Sequence, residues 1–147
     1  MIRKALQSDV DEIWSLGSNV DEFQVSKEVV TFWPRPVLEA CVNNGSIFVF
    51  EENKKIIGFI ISNYNPLFKK AIIENIFVHQ EHRNKGIGKN LLNNLLKDLK
   101  IKKCEYVCTL IEEKDDLGKA FYLKNKFNKG IDCVWLDLIL GTDFKKP

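Results

Sequence analysis

The chain has 147 residues, 22 basic and 20 acidic side chains for a formal charge of +2, and 45% hydrophobic residues. That is the size of one domain, too apolar for a disordered chain and too balanced in charge for a protein built mainly to grip nucleic acid. No apolar run approaches the roughly 20 residues of a membrane helix, so no membrane partner is expected. The opening Met1-Ile2-Arg3-Lys4-Ala5 lacks the apolar stretch of an export signal. A cytoplasmic chain is expected, with Cys41, Cys104, Cys108 and Cys133 as reduced thiols serving as small buried hydrophobes.

Residues 2–6 read as a short strand, after which Ser8 caps a helix over 9–18 with Ile13, Trp14 and Leu16 inward. Segment 19–35 is irregular or short-helical and ends in Phe32-Trp33-Pro34-Arg35-Pro36. Pro36 opens a short helix through Cys41 that stops near Asn44-Gly45. The β-branched and aromatic runs Ser46–Glu51 and Lys55–Tyr64 flank Glu52-Asn53-Lys54, a hairpin signature, and Ala71–Val78 is a further strand. Ile87, Leu91, Leu92, Leu95, Leu96 and Leu99 recur at three- and four-residue steps, so a helix over 87–99 buries one face. Cys104–Leu110 reads as a strand, about 116–125 as a helix and Val134–Leu140 as a last strand. The order β-α-α-β-β-β-α-β-α-β predicts a single α/β domain over 1–147, a mixed sheet flanked by helices.

The stretch between the strand ending at Val78 and the helix from 87 carries the chemistry. A helix N-terminus has N–H groups without internal partners and roughly half a positive charge. Glycines admit a ligand to the backbone, and Arg83, Lys85 and Lys89 add cations, which suits a phosphate or pyrophosphate. Spacing narrows the choice. A P-loop needs glycine where Arg83 stands and Ser or Thr where Asn90 stands, and the dinucleotide fingerprint needs a third glycine where Leu91 stands.

Arg83-Asn84-Lys85-Gly86-Ile87-Gly88 resembles the pyrophosphate motif [Q/R]-x-x-G-x-[G/A] of the GCN5-related N-acetyltransferase (GNAT) superfamily. Val78, eight residues before Gly86, stands where that family ends its fourth strand. Phe121-Tyr122-Leu123-Lys124-Asn125-Lys126-Phe127 is similar to its late helix end, and Ile2–Ala5 with Asp9–Ile13 to its opening strand and helix. Gln80, Asp115 and Lys126 depart from the family's frequent proline, asparagine and glycine.

The resemblance implies a GNAT-like fold with a mostly antiparallel sheet, and direct acyl transfer from acetyl-CoA to an amine of a small molecule or a peptide in a ternary complex. It implies that Ile76, Phe77 and Val78 pair with the pantetheine arm, and that the N–H groups of Asn84, Lys85, Gly86, Ile87, Gly88 and Lys89 hold the pyrophosphate. Asp115 would meet the pantetheine arm, as acceptor only. Homodimers, common in the family, are a further expectation.

Tyr122 falls at the family's catalytic tyrosine and is the candidate acid: a phenol of pKa about 10 protonating a thiolate of about 8.5. Glu74 is the candidate base. Alternation places it with Ile72, Ile76 and Val78, and Asn75 on the other face. A lone carboxylate inside an apolar strand is costly unless it lines a polar site, or it faces water near the strand start. Phe32 and Trp33 either line the acceptor pocket, with Asn75, or belong to the core. The acids Glu112, Glu113, Asp115 and Asp116 form a solvated loop or a receptor for a cationic acceptor. His79 and His82 lack enough neighbouring ligands for a metal site, so no metal is expected. A catalytically silent acyl-CoA-binding or regulatory module on the same fold is the alternative function, and a dinucleotide-dependent oxidoreductase a more distant one.

Overall fold

The computed structural model describes residues 1–23 and 32–141. In chain order it has β1 (Ile2–Lys4), α1 (Val10–Ser18), α2 (Arg35–Asn43), β2 (Ile47–Glu52), β3 (Lys55–Asn65), β4 (Lys70–Val78), α3 (Ile87–Ile101), β5 (Tyr106–Thr109) and α4 (Asp116–Lys124). The sheet runs in that same order, β1 to β5. Its first four strands are antiparallel neighbours, and β5 joins β4 in parallel. Parallel neighbours need a crossover, and α3 supplies it.

Local chemistry sets the ends of these elements. Asn53 and Lys54 both have positive φ, 51° and 61°, as a two-residue hairpin turn between right-twisted strands requires. The cap expected from Ser8 does not form: Asp9 stands at the N-cap of α1, and its side chain makes no cap hydrogen bond to that helix. A 3-10 turn over Gln7–Asp9 precedes α1, and the Asp9 carboxylate accepts the Leu6 N–H at 2.7 Å. Arg3 fixes that carboxylate with two hydrogen bonds, 2.6 and 3.1 Å, and also binds Glu51 at 2.5 and 2.8 Å. α2 begins at Arg35, runs two residues beyond the expected Cys41, and gives way to Gly45 at φ +64°.

Two apolar layers sandwich the sheet. On one face Ile13 of α1 and Leu38 of α2 pack with Ile47, Val49, Phe59 and Ile61. On the other, Ile87, Leu91, Leu92, Leu95 and Leu99 of α3 pack with Phe48, Ile60, Ala71 and Ile73, and Tyr122 of α4 joins them. Those five α3 side chains are nearly inaccessible, a gross gain of roughly 10 kcal/mol at 1.5–3 kcal/mol each. The helical periodicity therefore identified the correct face.

The chain departs from expectation after α4. The strand expected over Val134–Leu140 does not form, so the element order ends at α4. Its residues have no regular structure, and Val134, Leu136, Leu138 and Leu140 are 82–91% exposed. An alternating pattern makes a strand only beside another strand that answers its N–H and C=O groups, and among the described residues the segment lies on none. Cys133 shares that exposure while Cys41, Cys104 and Cys108 are half-buried, so none of the four is a fully buried hydrophobe. Of the expected irregular segment 19–35, residues 24–31 lie outside the described residues.

Candidate functional site

β4 does not alternate cleanly. Opposite β3, Ile60 pairs with Ile76 and Ile61 with Asn75, but the next residue, Ser62, pairs with Ile73. Glu74 is the extra residue of a β-bulge. A bulge resets the pleat, so the expected grouping of Glu74 with Ile76 and Val78 is corrected. Ile73 and Ile76 both pack on the α3 side. Phe77 packs on the α1/α2 side, where Trp33 also packs, and Asn75 Oδ1 accepts the Trp33 Nε1–H at 2.7 Å. Glu74 turns the same way, because its charge acts on the Cys41 thiol of α2. Glu74 and Asn75 thus share a face. Burial raises the Glu74 carboxyl above its ordinary value; burial, then the Glu74 charge, raises the Cys41 thiol.

The parallel pairing of β4 with β5 stops at Ile73 and Thr109. Beyond it, the β5-facing edge of β4 from Glu74 to Val78 has no strand partner among the described residues. Thr109 stands at the fork, its Oγ1 donating to the Ile73 carbonyl at 3.0 Å. The buried Tyr122 hydroxyl is hydrogen-bonded to Thr109, and its ring meets Phe121 and Phe127 edge-on, each at 5.1 Å between centroids. Burial pushes the phenol up to about 12, with the Thr109 bond opposing and the charge of Asp115 adding. Tyr122 and Glu74 therefore approach one fork from opposite faces of the sheet. Nothing in the sequence pointed to Thr109 or to Cys41 beside Glu74, since both depend on which strands and helices become neighbours.

The basic turn is built as its sequence requires. A 3-10 turn over Gln80–His82 follows β4, and Asn84 and Gly86 take positive φ, 61° and 79°. Gly86 is the N-cap of α3, and no side chain caps that helix. The first helical bond runs from Asn90 N–H to the Gly86 carbonyl, so the N–H groups of Ile87, Gly88 and Lys89 lie ahead of the ladder. A Cβ on Gly86 would meet nothing within 4 Å, whereas one on Gly88 would stand 3.3 Å from the Phe121 ring. Gly86 faces open space and Gly88 seats α3 against α4. Arg83 donates from Nε to the Val78 carbonyl at 3.0 Å and is otherwise exposed, as are Lys85 and Lys89.

The remaining candidates divide. Phe32 is 1% exposed, stacks on Phe23 and lies against Phe59; a Cβ on Gly17 would collide with its ring at 2.3 Å. Its burial makes it part of the core, the second of the two expected readings. Trp33, half-buried, stands beside Asn75. Asp115 caps α4, its Oδ1 accepting the Gly118 N–H at 2.9 Å, so the carboxylate replacing the family's asparagine has a structural task. The acidic loop is largely answered from within: Lys114 pairs with Glu112 at 3.1 Å, and Lys119 with Asp116 at 3.0 Å and Glu113 at 3.8 Å. The described residues hold no group of three or more metal-ligating side chains.

Three features of this site fit coenzyme A: an unpaired strand edge, an uncapped helix start with open space at Gly86, and three exposed cations around it. The profile of the acetyltransferase (GNAT) family matches residues 9–127. No curated protein matches the chain by sequence. Among solved structures, an N-acetyltransferase from Staphylococcus aureus is 27% identical, with 86% of this chain and 82% of that one covered and a TM-score of 0.69. The PaiA N-acetyltransferase from Thermoplasma acidophilum, in complex with coenzyme A, is 21% identical over 85% and 87%, with a TM-score of 0.73. An aminoglycoside acetyltransferase from an uncultured soil metagenomic sample, in complex with sisomicin, is 20% identical over 96% of each chain, with a TM-score of 0.75.

Proposed function

Because the chain belongs to the GNAT acetyltransferase family, we propose that it transfers an acetyl group from acetyl-CoA to a primary amine by direct attack in a ternary complex. The observation that carries this reading is the fork. β4 and β5 part beyond Ile73 and Thr109, with a raised carboxyl on one face and a buried phenol on the other.

Acetyl-CoA supplies the activated acyl thioester. The free edge of Ile76, Phe77 and Val78 offers the backbone groups to bind an extended amide-containing arm. The N–H groups of Asn84 to Lys89, with Arg83, Lys85 and Lys89, offer the charge and donors for a pyrophosphate. An alkyl ammonium of pKa near 10.4 must lose a proton before it attacks. Glu74, its carboxyl raised above the ordinary value by burial, accepts that proton directly or through water. The Tyr122 hydroxyl, held at the fork by Thr109, donates to the departing sulfur. Trp33 and Asn75, beside Glu74, form one wall of the acceptor site.

The test is release of free thiol from acetyl-CoA with a panel of amines, alongside coenzyme A protection against heat. Protection by coenzyme A with amine-dependent release supports the transferase. Protection with no release from any amine supports a silent acyl-CoA-binding module. Protection by a nicotinamide dinucleotide and none by coenzyme A overturns both.

A further inference from the structure

The turn joining β3 to β4 reads Asn65-Pro66-Leu67-Phe68-Lys69-Lys70. Asn65 Oδ1 accepts the Leu67 N–H at 3.0 Å and the Phe68 N–H at 3.3 Å. The Pro66 carbonyl accepts the Lys69 N–H at 3.4 Å, and Lys69 takes a positive φ of 50°. These bonds hold two large apolar side chains out in water: Leu67 is 83% exposed and Phe68 73%. Ile101, the last residue of α3, and Tyr106, the first of β5, are exposed as well. All four stand at one end of the sheet. The Lys69 carbonyl accepts the N–H groups of Glu105 and Tyr106 at 2.8 and 3.2 Å, and the Tyr64 hydroxyl of β3 donates to the Lys102 carbonyl at 2.7 Å. Five lysines share this end. Lys69 pairs with Glu105 and Lys102 with Asp98, each at 2.7 Å. Lys70, Lys100 and Lys103 are exposed and have no carboxylate partner among the described residues, and Lys70 lies over the Tyr106 ring. Their charge alone exceeds the +2 of the whole chain.

We propose that this end of the sheet rests on an anionic membrane surface, with Leu67 and Phe68 seated at the acyl-chain boundary and Lys70, Lys100 and Lys103 on the lipid headgroups. Charge complementarity names the occupant. An exposed apolar patch rimmed by polar groups marks an interaction site. Here the uncompensated rim is cationic, and an anionic leaflet attracts each lysine held close to it. A nucleic acid would use the lysines and leave the leucine–phenylalanine tip in water; a bilayer takes both. No described helix is long and apolar enough to cross a membrane, which is why no membrane partner is expected from the sequence, but resting on a surface requires no crossing. The geometry leaves the proposed coenzyme site free. β4 runs nine residues from this tip, at about 3.3 Å each, so the turn from Arg83 to Lys89 at its far end stays in water. The contact does not depend on the proposed acetyl transfer, and coenzyme A binding reports that reading separately.

Sedimentation of the full chain with vesicles tests it, using phosphatidylcholine alone and phosphatidylcholine mixed with phosphatidylglycerol. Binding to the mixed vesicles only is expected, weakening as added salt screens the surface charge. Leu67→Ser with Phe68→Ser lowers partitioning at least about tenfold. Lys70→Gln with Lys103→Gln lowers it about 30-fold. Lys54→Gln with Lys55→Gln, equal in charge but on the hairpin at the opposite end of the sheet, changes it less than about twofold, since the attraction fades within a Debye length. All of these side chains are exposed, and circular dichroism reports folding whether or not coenzyme A binds. No binding to the mixed vesicles at low salt overturns the proposal. So does binding that ignores the serine pair, or equal loss from the two lysine pairs, which means attraction by net charge alone. Tighter binding to duplex RNA or polyglutamate than to the vesicles assigns the lysines to a polyanion in solution and overturns it. Self-association that the serine pair abolishes assigns the tip to a second copy and overturns it too.

Discussion

Replacing Tyr122 by phenylalanine removes one oxygen from the centre of the fork and leaves the ring contacts with Phe121 and Phe127 in place. The bond to Thr109 is lost, a cost of about 1 kcal/mol, or roughly 2–4 °C in Tm for a chain of this size. The effect on turnover follows from the phenol's pKa of about 12. Full proton transfer to a thiolate of pKa about 8.5 would run uphill by about 3.5 units, close to 5 kcal/mol. The hydroxyl therefore acts mainly as a donor to the developing thiolate, a charge-assisted bond of about 1.5–3 kcal/mol. Losing it lowers kcat about 10- to 150-fold, with the KM for acetyl-CoA unchanged. That is the lower part of the range for a positioned general acid. Initial rates of thiol release, at matched folded fraction, measure it. A kcat within about twofold of the unaltered enzyme refutes the assignment.

Glu74→Gln removes the base and lowers kcat/KM about 10²- to 10⁴-fold, abolishing the acidic limb of the pH–rate profile; a retained limb assigns the base elsewhere. Because burial raises the folded pKa of Glu74, stability falls as pH rises from its ordinary value through the raised one. Glu74→Gln should therefore melt above the unaltered protein at neutral pH and lose that advantage in acid, as scanning calorimetry at both pH values will show. Gly86→Ala forces a Cβ onto a residue at φ +79° at a cost of about 1–2 kcal/mol. It places the methyl where the N–H groups must be approached, so the Kd for coenzyme A rises about tenfold or more in calorimetric titration, equivalent to one charge-assisted bond. Thr109→Val leaves Tyr122 without its hydroxyl partner and lowers kcat several-fold with no change in coenzyme A affinity, and Thr109→Ser restores it. Equal rates for the valine and serine variants count against a positioning role.

The fold was legible where the pattern is local. Periodicity found α3, the β-branched and aromatic runs found β2 and β3, and the spacing from Arg83 to Gly88 found the glycine-containing turn that opens α3. The missed features depend on which elements become neighbours. Glu74 and Asn75 follow simple alternation in sequence, yet one unpaired residue on β4 puts both on the α1/α2 face. Phe32 is as aromatic as Trp33, but the bare flank of Gly17 receives its ring and makes it core. Asp115 read as a departure from a cofactor contact because its helix-capping bond to Gly118 is common to many polar residues before a helix. The C-terminal pattern predicts a strand over Val134–Leu140, and among the described residues that segment has no strand partner.

The bulge at Glu74 has a consequence for specificity. It directs Glu74 and Asn75 toward Trp33 and Cys41, while the turn from Arg83 to Lys89 leads into α3, which packs on the other face. On the proposed function, acceptor contacts and nucleotide contacts are separated by the thickness of the sheet and meet only at the fork. Substitutions on the two faces share no partners, so their free-energy effects should add to within about 0.5 kcal/mol. Trp33→Ala should raise the KM for the amine and leave the Kd for coenzyme A unchanged. Lys85→Ala should do the reverse, weakening coenzyme A binding more at low salt than at high. The double variant should show the product of the two effects. A Trp33→Ala enzyme that weakens coenzyme A as strongly as the amine refutes the separation and places both ligands on one face.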